Sequence, residues 1–211
     1  MLSKFTYDNV VKGLITLSLL VMAFGANAAG FQGKVGIASD NYFRGVNISN
    51  GVGYSASGSY GLDNGIWAGA SLMSLDDSSE QMTKLGVGYN FDIGAVSFGV
   101  AYIDYGFNGI DSEGWEEVGV MADFDVLEVS YFNGLDDAGD FYKVSSSALK
   151  FIDVAYGDSD LSGSYFELSR SFDLALGSVK VGYIDHEDNE DDFADRVFDA
   201  DNFYVGYSIK F

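Results

Sequence analysis

The chain has 211 residues, 32 Asp and Glu against 11 Lys and Arg for a formal net charge of −21, 27 glycines, and neither cysteine nor proline. Without cysteine there is no disulfide, thiolate metal site or cysteine nucleophile, and so large a surplus of carboxylates excludes nucleic acid as a partner, because phosphate contacts need clustered Lys and Arg. With 47% hydrophobic and 16% aromatic residues there is ample apolar surface to bury or to turn toward lipid, and the abundant Gly, Tyr and Phe point to β-structure.

Residues 1–28 read as a cleaved signal peptide. Lys4 and Lys12 precede or flank a short apolar core over residues 13–24, and Ala26-Asn27-Ala28 supplies the small-x-small cleavage pattern. The core is well short of the ~20 residues a spanning helix needs. The mature chain is expected to start near Ala29 and to form a single domain over 29–211.

Beyond Ala29 the period is two, the signature of strands with unlike faces. Leu85, Val87, Tyr89 and Phe91 alternate with Lys84, Gly86, Gly88 and Asn90; Phe203, Val205, Tyr207, Ile209 and Phe211 alternate with Tyr204, Gly206, Ser208 and Lys210. Twelve strands are expected, near 31–43, 51–61, 66–75, 81–91, 95–105, 115–123, 125–132, 141–147, 150–157, 163–172, 178–186 and 202–211. Their connections fall into two alternating classes. Tight turns lie at 62–65, 92–94, 123–125, 147–149 and 173–177; longer acidic loops lie at 46–50, 76–80, 106–114, 133–140, 158–162 and 187–201.

The less apolar face is mostly Gly, Ser and Ala rather than the Lys, Glu and Thr of a water-facing strand. Apolar rows ending in aromatic residues, an even strand count, and short turns alternating with long loops together predict a transmembrane antiparallel up-and-down β-barrel. Twelve strands of ~9–11 residues leave an ordinary allowance for eleven connections and no room for a second domain.

The segment Ile37-Ala38-Ser39-Asp40-Asn41-Tyr42-Phe43-Arg44-Gly45-Val46 is similar to the S-D-Y-x-F-R-G opening of the TorF family of porins, also catalogued as the conserved bacterial domain Gcw_chp. Gly65-Ile66-Trp67-Ala68-Gly69 followed by Leu75-Asp76 resembles that family's second hairpin. Where the family often continues R-G-x with Ser-Gln, this chain has Asn47-Ile48-Ser49. The resemblance implies a channel-like barrel of the Gram-negative outer membrane and brings no substrate with it.

If the apolar rows face lipid, alternation turns Lys34, Arg44, Lys84, Glu117, Glu128, Lys143, Asp153, Glu167, Lys180 and Lys210 into the lumen as candidate pore-lining residues. Rings of charge set ion preference in pores, although opposite charges can also pair across a narrow barrel and seal it. Asp40 and Arg44, four apart on an extended strand, are expected to share a face as a lumen pair near the outer rim. The inward glycines are expected to leave open volume or to let strands bend.

Little else suggests chemistry. His186 is the only histidine, no G-x-S-x-G elbow accompanies it, and an enzyme is not expected. The loop 187–201 holds eight carboxylates and Arg196 but lacks the spacing of an EF-hand; no specific metal or cofactor is assigned, though divalent cations could bridge it to lipopolysaccharide. Phe211, on one face with Tyr207 and Ile209, resembles the C-terminal signal read by the outer-membrane assembly machinery. The resulting expectation is a porin that passes small solutes or ions by diffusion, its partners the outer-membrane bilayer and lipopolysaccharide. The alternative is a closed structural or adhesive barrel with acidic surface loops.

Overall fold

The computed structural model describes residues 30–49, 51–75, 80–108, 114–135, 139–187 and 202–211. The expected signal peptide and nearly all of the acidic segment 187–201 lie outside these residues. Fourteen strands occur among the described residues: β1 (Phe31–Ala38), β2 (Tyr42–Phe43), β3 (Val46–Asn47), β4 (Gly53–Gly61), β5 (Ile66–Ser74), β6 (Gln81–Ile93), β7 (Val96–Asn108), β8 (Trp115–Asp123), β9 (Leu127–Leu135), β10 (Asp140–Ser146), β11 (Asp153–Ser159), β12 (Gly163–Leu174), β13 (Gly177–Glu187) and β14 (Asn202–Lys210). Twelve of them form one closed antiparallel barrel in sequence order, with β1 hydrogen-bonded to both β4 and β14. The other two, β2 and β3, pair only with each other.

Period-two patterning decides which side of the wall each residue faces. Leu85, Val87, Val120 and Val205 are each about half exposed, and they project from the outer surface. Phe91 and Phe98, directly opposite across β6 and β7, stack at 5.5 Å on the same surface. The intervening residues Ala101, Ser130, Ala155 and Ser169 are buried. An outer belt this rich in Val, Leu, Ile, Tyr and Phe far exceeds the apolar patch a water-soluble monomer exposes, and hydrocarbon is the solvent it suits.

One rim carries Gly30, Phe211 and most of the short connections, and is called here the turn rim. The other carries most of the longer connections and is the loop rim, although the expected loop at 158–162 is there a three-residue turn between β11 and β12. The seam closes at the turn rim through the last residue: Phe211 N–H donates to the Gly33 carbonyl at 3.0 Å, and Gly33 N–H donates to the Phe211 carbonyl at 2.9 Å. The Phe211 ring lies over Gly33, where a Cβ would come within 2.1 Å of it. It also stacks on Phe31 at 6.4 Å.

Two expected boundaries are corrected. The first strand does not reach residue 43 but ends at Ala38, because the backbone turns in at Asp40 and Asn41 to start a separate hairpin. The fourth turn is longer than 147–149, since β11 starts only at Asp153. There Ser147 N–H donates to the Val126 carbonyl and Arg170 Nη1 donates to the Lys150 carbonyl at 2.6 Å, so the wider turn is held to its neighbours.

Candidate functional site

The barrel interior has two unlike halves. The loop-rim half is filled by the first connection, residues 39–49, which folds inward rather than over the rim. Tyr42 pairs with Asn47 and Phe43 with Val46, leaving Arg44 and Gly45 as a two-residue turn. Both have positive φ, +52° and +84°, as a type I′ hairpin turn requires. Glycine is at home there; arginine is not, and its strained backbone marks a position held by surrounding contacts.

Those contacts start with charge. Arg44 Nη2 donates to both carboxylate oxygens of Glu117 on β8, each at 2.5 Å, with 6% and 0% of the two side chains exposed. The guanidinium lies 4.4 Å from the Phe141 ring centroid and 5.0 Å from that of Phe43. Across the turn, a Cβ on Gly45 would fall 2.4 Å from Tyr165 of β12. Tyr42 packs on Tyr204 at 5.4 Å, and Phe43 meets Tyr105 edge-on at 5.7 Å. The hairpin therefore bridges the β6–β8 wall and the β10–β14 wall.

Polar contacts pin its base. Asn41 Nδ2 donates to the Ser74 carbonyl at 2.9 Å and to Ser74 Oγ at 3.0 Å, while Asn41 N–H donates to Ser49 Oγ at 2.6 Å. Ile48 N–H returns to the Asn41 carbonyl at 2.9 Å. Asp40 accepts from Asn47 Nδ2 at 3.2 Å. The expected pairing of Asp40 with Arg44 on one extended strand is thus overturned: no strand joins them, and each is engaged elsewhere.

The turn-rim half is open. A cavity of about 700 Å³ is walled by β1, β4, β5, β6 and β14, with Lys34, Lys84, Lys210 and Trp67 among its lining residues. Lys84 also meets the hairpin, its ammonium 4.4 Å from the Phe43 centroid and 5.3 Å from Tyr105. Further round the wall, Lys180 Nζ donates to Glu167 Oε1 at 2.5 Å, and the Tyr204 hydroxyl donates to the same oxygen. Glu128, Lys143 and Asp153 lie on the inward row of β9, β10 and β11, two residues along the same strand from buried Ser130, Phe141 and Ala155. Every charge assigned inward from a barrel strand therefore lies on the inner face, while Arg44 arrives there on the hairpin.

Several inward glycines have a different use from the one expected. A Cβ would fall 2.2 Å from Phe132 at Gly119, 2.5 Å from Tyr204 at Gly182, and 2.6 Å from Trp67 at Gly88. They make room for flat rings laid along the wall rather than for water. Phe141, Tyr165 and Ile184 form the buried apolar cluster under the hairpin. Sequence reasoning missed this cluster because Phe141 and Tyr165 look like any aromatic strand residue until register shows them facing inward.

His186 lies near the loop rim with Nε2–H donating to the Ser162 carbonyl at 2.5 Å, which ties the β11–β12 turn to β13. Among the described residues, no three His, Asp or Glu side chains gather as a metal site.

No family model matches the chain, and no curated protein matches it. Solved structures do. KdgM porin superposes with a TM-score of 0.54 at 11% identity, covering 85% of this chain and 98% of its own. KdgM porin in complex with disordered oligogalacturonate gives 0.52 at 11%, with 86% and 97% covered. The outer membrane phospholipase of Salmonella typhi, a dimer with bound calcium, gives 0.48 at 9%, with 92% and 96% covered. At these identities the likeness to KdgM porin is one of architecture: this chain has the fold of a twelve-stranded outer-membrane barrel.

Proposed function

We propose that this protein is a passive channel of the bacterial outer membrane, through which small solutes or ions diffuse past a constriction made by the inward hairpin. The observation that carries the reading is the pairing of a lipid-suited outer belt with a charged, cavity-bearing interior in one closed wall. A wall of twelve strands encloses more space than its own inward side chains fill, and here an added hairpin occupies half of it. The KdgM porin fold is in keeping with this.

Within this reading the turn rim faces the periplasm and the loop rim faces the lipopolysaccharide leaflet, the usual arrangement of short turns and long loops. Phe211 serves assembly as well as closure. The S-D-N-Y-F-R-G segment, which resembles the TorF family, supplies the hairpin's anchors. Transport needs neither cofactor nor covalent chemistry, and the protein is read as a non-enzyme.

A closed barrel is favoured by one observation, the Arg44–Glu117 pair sealed inside the loop-rim half. Liposome swelling separates the two readings. Folded protein reconstituted into vesicles should admit arabinose and glycine faster than protein-free vesicles do. A wild-type protein and a variant with residues 41–48 replaced by a Gly-Ser linker that both leave the vesicles sealed would refute the channel.

A further inference from the structure

We propose that the turn-rim half of the interior is a binding site for a small organic polyanion with a flat face, its charges held by Lys34, Lys210 and Lys84 and its flat face laid on Trp67. The proposal rests on reading the interior as a solute space and names the class of solute.

Asp and Glu outnumber Lys and Arg almost three to one in this chain, yet the cavity wall carries three lysines and no Asp or Glu side chain. Register shows how they are assembled. Lys210, Lys34, Ser57, Ser71 and Lys84 are successive cross-strand partners on β14, β1, β4, β5 and β6. They form one continuous inward row, cationic at both ends with two hydroxyls between. At roughly 4.8 Å per strand, Lys34 and Lys84 stand about 14 Å apart along the curved wall. Flexible lysine stems can close that gap on one compact ligand.

The arrangement works against the fold. Lys34 and Lys210 are directly opposite on one sheet face, where like charges destabilise a strand pair. Neither forms an ion pair among the described residues, and the inward carboxylates further round the wall are engaged with other bases: Glu167 with Lys180, and both oxygens of Glu117 with Arg44. Lys84 rests on the faces of Phe43 and Tyr105 rather than on a carboxylate. Three cations concentrated in a cleft with low-dielectric walls attract anions strongly.

Trp67 supplies the flat surface. Its ring lies along the inner wall over Gly86 and Gly88, where added Cβ atoms would fall 3.3 and 2.6 Å away. One ring face is thereby spent on backbone, and the ring lines the cavity two residues along β6 from Lys84. A carboxylated or phosphorylated ring fits this combination; a cation or an uncharged sugar does not.

Benzene-1,3,5-tricarboxylate is the probe, titrated into the folded full-length barrel in detergent micelles by calorimetry and Trp fluorescence. Saturable binding should weaken as salt rises. Lys34→Gln/Lys210→Gln should weaken it at least tenfold while raising the thermal midpoint, since a repulsion has gone. Trp67→Leu should weaken it severalfold and remove most of the fluorescence response. Lys150→Gln, exposed in the turn between β10 and β11 and outside the cavity lining, should bind as wild type does, and 1,3,5-tris(aminomethyl)benzene should not bind. Wild-type protein that fails to bind the tricarboxylate, or a double lysine variant that binds it undiminished, would overturn the site. Micellar binding needs no conductance, so this outcome stands apart from the swelling test of the channel.

Discussion

Arg44 combines a left-handed backbone, a desolvated charge and close aromatic neighbours for the sake of one contact, the fork onto Glu117. A buried pair of this kind adds little net stability, but removing one partner leaves an uncompensated charge at about 3–5 kcal/mol. That exceeds what a hairpin of two-residue strands can hold on its own, so Glu117→Gln should release the hairpin from the interior. Single-channel recordings should then show larger steps than wild type. The double variant Arg44→Met/Glu117→Leu should return toward the wild-type step, because both charges are gone and the apolar contacts remain; identical steps in all three proteins would contradict the pairing's role. On the outer surface, Val120 is half exposed at mid-strand in β8. Val120→Arg should destabilise the membrane-inserted barrel by about 2–4 kcal/mol in urea unfolding from vesicles, whereas a water-facing position would change by a few tenths.

At the scale of the element, the hairpin was half legible in the sequence. Asp40-Asn41 interrupts a strand, and Arg44-Gly45 between Tyr42-Phe43 and Val46-Asn47 has the spacing of a two-residue β-turn. Extending β1 to residue 43 overlooked this because alternation alone does not distinguish a wall strand from a hairpin tucked inside the wall. The turn is also where the hairpin is most easily broken. Gly45→Val would meet Tyr165 and adopt a φ of +84° that a β-branched residue resists, so it should enlarge the conductance step much as Glu117→Gln does. Adding Tyr165→Ala would relieve only the clash, leaving the backbone strain, and should recover the wild-type step in part.

For the molecule as a whole, the number of barrel strands and the outward rows were readable because period two is a local property, while the split by loop length held only in part: the expected loop at 158–162 is a three-residue turn and the expected turn at 147–149 spans six residues. Lys84, Glu117, Glu167 and Lys180 could be placed on the inner face for the same reason. Their partners could not be read. Which carboxylate meets which base depends on register around a closed wall, as where Lys34 of the first strand falls opposite Lys210 of the last. Net charge gave no hint either: an acidic chain holds a cavity lined by three lysines and no Asp or Glu side chain. Closure by Phe211 against Gly33 likewise joins the two ends of the barrel sheet. Phe211→Ala should therefore lower the unfolding midpoint of the inserted barrel, measured by heat-modifiable gel mobility.

The account as a whole is tested most directly by planar-bilayer conductance of wild-type protein beside the variant carrying a Gly-Ser linker in place of residues 41–48, each first shown to be folded. It predicts discrete steps from the wild type and steps at least twofold larger from the variant. Silence from both folded proteins, or equal steps from the two, would contradict a channel narrowed by its own first connection.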